Sequence, residues 1–270
     1  MIAATTSREG GRDWPPLPER EHRPLHQAVL TALGPLEGRC LLDVGCGVGS
    51  FLRAAQRRGA LVAGTDSAVT RLEVARWALP DADLRLTEPG DALPFDNGTF
   101  DVVTTRTAEG SAVLAEPARV VRPGGLVAVG TWARPRGCWT ETFAGHLRRL
   151  ALLPPETDDD PAAELAAAGL TVRGGGNVRF TATFPNSAAA WRAMLTCEDM
   201  LSAIGAVGEA AVREAFADSV SGNVAPDGTV CLPKTFRYAV AATGESTSWS
   251  SGHRPDNESA SVSDQDSGRD

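Results

Sequence analysis

The stretch that most constrains the fold is an apolar run that ends in three glycines at alternate positions. Residues 41–49 read LLDVGCGVG, and a segment with helical character, 50–58, follows. Because glycine has no Cβ, Gly45, Gly47 and Gly49 allow a tight turn and leave room for a bound group against the main chain. The first N–H groups of the following helix point to the same place. This pattern predicts a strand–turn–helix unit that binds a nucleotide or nucleoside.

Two acids at matching distances strengthen that prediction. Asp66 ends a second short apolar segment, 60–66, where a carboxylate can accept hydrogen bonds from both ribose hydroxyls. Asp91 ends a third candidate strand. The spacing disfavours a nicotinamide dehydrogenase, because Gly49 comes one residue earlier than in the dinucleotide fingerprint and Ser50 stands where that fingerprint has glycine. Tight turns without a ligand also use glycine, but they do not explain the two acids.

Four sequence blocks, in this order, resemble those of the class I S-adenosylmethionine-dependent methyltransferases. They are residues 42–49 (LDVGCGVG), 64–66 (GTD), 90–95 (GDALPF) and 119–125 (RVVRPGG), and the resemblance spans about residues 14–243. It implies an α/β, Rossmann-like fold: a seven-stranded, mostly parallel sheet with helices on both faces and the last two strands antiparallel to each other. It also implies S-adenosylmethionine as cofactor, S-adenosylhomocysteine as its product, and a helical lid over the acceptor pocket.

The resemblance also implies which residues of the turn contact the cofactor. Gly45, Cys46 and Gly47 would lie against its methionine part, while Asp43 would orient the turn and reach the amino group. The full set of expected cofactor-binding residues is Asp43, Gly45, Cys46, Gly47, Gly49, Asp66, Ser67, Asp91, Ala92 and Arg106.

The same resemblance implies that the two acids and their neighbours bind the adenosine part of the cofactor. Asp66 would hold the ribose hydroxyls, with Ser67 beside it near the adenine. Asp91 would accept a hydrogen bond from the adenine amino group, while the backbone of Ala92 reads the ring edge.

Along the chain we expect a loose N-terminal arm (1–18), one methyltransferase domain (19–242) and a disordered acidic tail (243–270). Two helices broken near Gly205 and Gly208, and a bend or bulge at 174–176, are expected late in the domain. The expected lid segments are about 19–33, 138–153 and 187–220.

Composition excludes several classes of partner. The net charge of −8 argues against nucleic acid and acidic membranes, because phosphate contact needs a basic face. No apolar run approaches the ~20 residues of a membrane span, and the polar residues 1–18 do not resemble a signal peptide. The five cysteines lack C-x-x-C spacing, which favours reduced thiols in the cytoplasm over a zinc site. We therefore expect a small-molecule acceptor, no metal, and a monomer or homodimer.

Methyl transfer demands few catalytic groups, so catalytic residues are harder to predict. Alignment in a dry pocket can supply roughly 7–11 kcal/mol, and a base is needed only when the acceptor loses a proton. His146 is the expected catalytic residue, since it lies on the apolar face of a predicted helix; the alternative is a hydrogen-bonded core histidine. The other candidates for a base are His22, His26, Glu109 and Glu141.

These observations favour an enzyme that moves a methyl group to an O, N or C centre of a small, largely apolar metabolite, in secondary-metabolite biosynthesis. One alternative keeps the cofactor but catalyses a cyclisation, rearrangement or decarboxylation. Another is a methyltransferase-like binding subunit without catalysis. The first alternative needs the same glycines and acids, so it stays open, whereas Asp66 and Asp91 argue against the second.

Overall fold

The fold was analysed in a computed structural model, which describes residues 19–106, 114–133, 138–149, 160–195 and 198–244. The expected arm at 1–18 and nearly all of the expected tail lie outside these residues, as does Glu109.

The described residues form one seven-stranded sheet. Its strand order is β3-β2-β1-β4-β5-β7-β6; the first four neighbouring pairs are parallel, and β7 is antiparallel to both β5 and β6. This arrangement confirms the predicted Rossmann-like sheet. The strands are β1 Cys40–Val44, β2 Leu61–Asp66, β3 Asp83–Leu86, β4 Phe100–Arg106, β5 Val121–Ala133, β6 Thr171–Phe184 and β7 Val230–Ala242.

Helices connect the strands and cover both faces of the sheet. A short 3-10 helix, Ser221–Asn223, precedes β7. The α-helices are α1 Glu19–Ala32, α2 Ser50–Gln56, α3 Val69–Ala78, α4 Ala115–Val120, α5 Trp139–Arg149, α6 Pro161–Ala167, α7 Ser187–Met194, α8 Glu198–Val207 and α9 Glu209–Val220.

Neighbouring residues of the central strands point to opposite faces, as the period of a strand requires. Leu41 and Val102 belong to one hydrophobic core, and Leu42 and Val103 to another. Helices α1, α2 and α3 close the first core, and α4 and α6 the second. Their buried contributions are Leu30, Leu52, Leu72, Val120 and Leu165. Burial of each such side chain stabilises the folded protein by roughly 1.5–3 kcal/mol relative to leaving it exposed to water.

The antiparallel pair of β6 and β7 projects beyond the sheet. β5 pairs with β7 as far as Ala133–Thr235, whereas β6 and β7 go on pairing from Phe180–Lys234 to Phe184–Val230. Because β7 runs antiparallel to β5, the projection lies beyond the carboxyl edge of the parallel strands, the edge at which β1 enters the glycine turn. Helices α5, α7, α8 and α9 pack on it in a third core that includes Trp139, Phe143, Trp191, Met200, Phe216 and Leu232. That these helices form a lid over an acceptor stays a prediction.

A bulge interrupts β6 directly before the glycines at 174–176, where a bend or bulge was expected. The register with β7 shifts between Val172 and Gly174. A Cβ on Gly175 would lie only 2.5 Å from the carbonyl oxygen of Tyr238. A side chain at that position would force the two strands apart.

Two local expectations were wrong. Residues 187–220 form three helices rather than two: one break falls between α7 and α8, the other at Gly208 (φ +87°), while Gly205 lies inside α8. The block 90–95 does not end a strand, because β3 stops at Leu86 and the block lies in the loop that follows. Gly90 (φ +87°) and the proline at position 94 are incompatible with a paired strand.

Candidate cofactor site

The glycine turn leaves β1 at the carboxyl edge of the sheet. Gly45 and Gly47 have φ angles of +76° and +57°, which L side chains rarely adopt. The N–H groups of Gly45 and Cys46 both donate to the carbonyl oxygen of Thr65 at 2.8 Å, which ties the turn to the end of β2. A Cβ built on Gly45 or Gly47 would meet no described atom within 4 Å. The space in front of these two glycines is therefore open to a ligand.

Gly49 and Cys46 serve packing instead. A Cβ on Gly49 (φ +80°) would lie 2.9 Å from Leu79 Cδ1, so this glycine lets α2 approach α3 closely. The Cys46 side chain is buried, and its Sγ would lie 2.8 Å from a Cβ on Gly64. Only their backbone is left for cofactor contacts, and those stay predictions.

The carboxylate of Asp66 joins the turn to the start of α3. Oδ2 accepts a hydrogen bond from Gly47 N at 2.8 Å, and Oδ1 accepts one from Ala68 N at 2.9 Å. Arg71 adds two more donors to Oδ1, Nε at 2.9 Å and Nη2 at 2.8 Å. Only 3% of the Asp66 side chain is exposed, so this acid is fixed in place before any ligand arrives. Ser67, half-buried, follows directly in the chain.

Thr87 marks a further polar group beside this acid. Its N–H donates to the carbonyl oxygen of Asp66 at 3.2 Å, which brings the loop after β3 to the end of β2. Its hydroxyl is buried and has no hydrogen-bond partner within the described residues. A buried hydroxyl is normally satisfied, so this one is an exception, and a hydrogen bond from it to a ligand stays a prediction. Together with the open glycines and Asp66, these groups fit an adenosyl ligand, whose ribose and base offer hydroxyl and amine donors.

Asp43 is a structural link at the base of the turn. It is 7% exposed, and its Oδ1 accepts a hydrogen bond from Thr104 Oγ1 at 2.6 Å. This contact joins β1 to β4 at the carboxyl edge, in line with the expected orienting role. Arg106 ends β4 opposite Gly130, and its side chain lies outside the described residues.

Asp91 and Ala92 lie exposed on the loop between β3 and β4. Asp91 N donates to the carbonyl oxygen of Glu88 at 3.2 Å, and the predicted contact of its side chain with adenine stays a prediction. The loop is held firmly just beyond these residues, because Glu116 Oε2 accepts a hydrogen bond from Leu93 N at 2.7 Å. Arg119 donates to the carboxylate of Glu116, and this pairing lowers the pKa of the Glu116 carboxyl below its usual 4.5.

A groove of about 840 Å³ opens elsewhere, at the amino ends of the strands. Its lining includes Leu61, Asp83, Phe100 and also Ala92, but neither the glycine turn nor Asp66. The groove is therefore separate from the glycine turn and Asp66, and Ala92 lies on the groove instead of beside the turn.

Histidine and aromatic rings gather next to the glycine turn. His22 and His26 stack on α1, with ring centroids 6.0 Å apart. His26 meets Phe51, the second residue of α2, edge-on at 5.3 Å, and His22 lies 5.5 Å from Phe236 of β7. Phe180 stacks on Phe236 at 5.2 Å. We call these five residues the aromatic cluster.

His146, the expected catalytic residue, lies between two helices. Its Nδ1 is 3.2 Å from the carbonyl oxygen of Ala215 on α9, so that nitrogen carries the proton and donates. The contact links α5 to α9 and favours the alternative of a hydrogen-bonded core histidine. A catalytic role stays a prediction.

Three polar side chains at the carboxyl edge were not predicted: Arg71, Thr87 and Lys234. Lys234 is 6% exposed, and its Nζ lies 6.0 Å from the ring centre of Trp139. The sequence could have drawn attention to Lys234, because it is the only lysine among 26 lysine and arginine residues. Arg71 and Thr87 carry no such signal, because each matters only through its contact with Asp66.

The described residues contain no group of three or more His, Cys, Asp or Glu side chains that could hold a metal ion. None of the helices within them has the length and hydrophobicity needed to cross a membrane.

Comparisons with known proteins agree with this geometry. The family described as methyltransferase domain matches residues 42–129. Ubiquinone biosynthesis O-methyltransferase of Thiobacillus denitrificans is 34% identical over 157 residues, which are 53% of this chain and 68% of that protein. The matched region is thus about two thirds of that relative's length.

Solved structures share the fold at low identity. A putative methyltransferase of Bacillus halodurans has a TM-score of 0.57 and 16% identity, covering 81% of this chain and 98% of its own. A geranyl diphosphate methyltransferase in complex with S-adenosylmethionine has a TM-score of 0.51 and 19% identity, covering 81% and 84%.

Proposed function

Since this chain belongs to the class I S-adenosylmethionine-dependent methyltransferases and uses S-adenosylmethionine as its cofactor, we propose that it methylates a small, largely apolar metabolite. The acceptor atom is an oxygen, nitrogen or carbon centre, and the O-methyltransferase name of the matched relatives favours oxygen. The setting we propose is secondary-metabolite biosynthesis in the cytoplasm. Among the described residues, Cys40, Cys46, Cys138 and Cys231 form no disulfide, which is in keeping with a reducing compartment.

The donor half of the site is built by the glycine turn and its neighbours. Gly45 and Gly47 would leave room for the methionine part, while Asp66 and Thr87 would hold the adenosine. The bound cofactor supplies an electrophilic methyl group on a positively charged sulfur. The task of the protein is to orient this group and to exclude water, and good orientation is worth roughly 7–11 kcal/mol.

The aromatic cluster is the observation that carries the proposed acceptor class. Phe51 is the second residue of α2, which begins directly after the glycine turn, so the cluster lies beside the donor half. Ring faces favour flat, apolar acceptors, and the two imidazoles of His22 and His26 offer a base where an acceptor hydroxyl must lose its proton. A base of this kind contributes about 10²–10⁴-fold.

The test is to incubate the protein with S-adenosylmethionine and matched pairs of acceptors. Each pair consists of an apolar phenol or quinol and its glycoside, and the formation of S-adenosylhomocysteine is measured. We expect turnover with the apolar members and little with the glycosides. Turnover of the glycosides alone, or of no acceptor in the set, contradicts the proposed acceptor class.

Two variants separate the donor half of the site, which binds the cofactor, from the aromatic cluster, which is proposed to bind the acceptor. His26→Leu should raise the KM for the acceptor by a larger factor than the Kd for S-adenosylhomocysteine, because the His26 ring packs against His22 and Phe51 of the cluster. Asp66→Ala should do the reverse and weaken S-adenosylhomocysteine binding by about 1.5–3 kcal/mol, the size of a hydrogen bond to a charged group. If both variants change the same constant by the larger factor, the division into halves is wrong.

A further inference from the structure

The two oxygens of the Asp66 carboxylate are not equivalent. Oδ1 accepts three N–H groups, from Ala68 N, Arg71 Nε and Arg71 Nη2. Within the part of the chain that the structure describes, Oδ2 accepts the N–H of Gly47 alone. A carboxylate oxygen has about two lone-pair positions, so Oδ1 is saturated and Oδ2 has one position left.

Apart from its contact with Asp66, nothing in α3 explains why an arginine stands at position 71. It lies in the first turn of α3, where a positive charge opposes the helix dipole, and that turn holds no acidic residue. Its side chain is 48% exposed, so packing does not fix it either. Its described contacts run to Asp66, and they place the guanidinium on the oxygen farther from the glycine turn.

We infer that Arg71 is a positioning residue that makes Asp66 bind one ribose hydroxyl of the cofactor instead of two. The guanidinium occupies Oδ1, and only Oδ2, next to Gly47, can accept a hydroxyl. This inference rests on the proposed role of Asp66 in the donor half. It also changes the expectation that one carboxylate accepts hydrogen bonds from both hydroxyls.

The test compares S-adenosylhomocysteine with its 2′-deoxy and 3′-deoxy analogues by titration calorimetry. In the unmodified chain, one analogue should lose about tenfold or more in affinity, the size of a hydrogen bond to a charged group, and the other should lose less than threefold. Equal losses for the two analogues would overturn the inference. This first comparison needs no variant and therefore does not depend on how a variant folds.

Variants of Arg71 then identify the cause. In Arg71→Met, a residue of similar helix propensity, Oδ1 becomes available and both analogues should lose affinity by similar factors. Arg71→Lys restores a donor and should restore the preference for one hydroxyl. The matched control is Arg76→Met in the same helix, which removes the same charge but contacts the carbonyl oxygen of Leu84; it should keep the native preference.

The outcomes separate this inference from the proposed function. A preference that persists unchanged in Arg71→Met overturns the role of Arg71 while leaving the site intact. If the unmodified chain binds none of the three ligands, the proposed donor site itself is wrong. If both deoxy analogues bind as tightly as S-adenosylhomocysteine, Asp66 does not bind the ribose hydroxyls.

Discussion

At the scale of single residues, the glycine turn contains two kinds of glycine. Gly45 and Gly47 face open space, whereas Gly49 faces Leu79 across a distance too short for a side chain. All three have positive φ, so the backbone needs glycine at each of them, but only the first two leave room for a ligand. The alternating pattern in the sequence does not reveal this difference.

Gly47→Ala tests the open space directly. The methyl group should lower S-adenosylhomocysteine affinity by about tenfold or more, and the left-handed backbone should lower the free energy of unfolding by roughly 1–2 kcal/mol. Gly34→Ala is the matched control, because Gly34 also has positive φ and open surroundings but lies between α1 and β1. Titration calorimetry and urea unfolding should show equal destabilisation and a binding defect in Gly47→Ala alone.

Thr87→Val tests the buried hydroxyl. Without a ligand, removal of an unsatisfied hydroxyl should not lower the urea midpoint, since an unpaired buried polar group is unfavourable. Affinity for S-adenosylhomocysteine should fall by about 3- to 10-fold, the size of one neutral hydrogen bond. Thr87→Ser keeps the hydroxyl and should bind normally. Normal binding by Thr87→Val would show that the hydroxyl does not face the ligand.

At the scale of elements, two hydrogen bonds each connect a helix to another segment of the chain. His146 links α5 to α9 within the helices that pack on the projecting β6–β7 pair. Glu116 links α4 to the loop that carries Asp91 and Ala92. Both contacts join segments that are distant in sequence.

For His146→Gln we expect a loss of about 1 kcal/mol in unfolding free energy, the size of one hydrogen bond between helices. The kcat for a suitable acceptor should change less than threefold if the histidine only links α5 to α9. A general base would contribute about 10²–10⁴-fold, so a fall of that size at constant stability would establish the catalytic role instead.

The Glu116–Arg119 pair should make stability depend on pH. Because its pKa is lowered in the folded protein, ionised Glu116 stabilises the fold above its ordinary pKa of 4.5, and this contribution is lost as the pH falls through the lower, folded-state value. Glu116→Gln should therefore lower the urea midpoint at pH 7 and reduce its further decline below pH 4.5. An identical pH profile for variant and parent would contradict this account.

Sequence reasoning succeeded where local pattern decides and failed where distant segments meet. Apolar segments that end at glycines or acids predicted β1 and β2. Asp91 was assigned to the end of a third such segment, yet the chain turns at Gly90. Thr87 was missed because its contact with Asp66 depends on the loop after β3 reaching the end of β2, which no spacing in the sequence encodes. Arg71 lies only five residues after Asp66, but the direction of its side chain in α3 is not visible in the sequence.

At the scale of the whole molecule, the proposed donor site joins the ends of β1, β2 and β3. The turn is bonded to Thr65 and Asp66, and Thr87 is bonded to Asp66. A ligand that bridges these three segments stabilises their common arrangement. Binding should therefore raise the stability of the entire sheet.

Saturation with S-adenosylhomocysteine should raise Tm in proportion to the logarithm of ligand excess. At a free ligand concentration of 100 Kd the gain is about 2.7 kcal/mol, or a shift of roughly 5–10 °C for a domain of this size. Differential scanning calorimetry over a ligand series measures it, with adenosine diphosphate as the control nucleotide. An equal shift with both ligands would contradict selective binding of the adenosyl group.

The projecting β6–β7 pair has one more consequence. The helices packed on it share a hydrophobic core whose buried members all differ from those of the two cores that sandwich the sheet. Substitutions within this outer core should therefore rearrange the cap helices and leave the backbone of the glycine turn in place. We expect that the cap can be exchanged between relatives without loss of the turn.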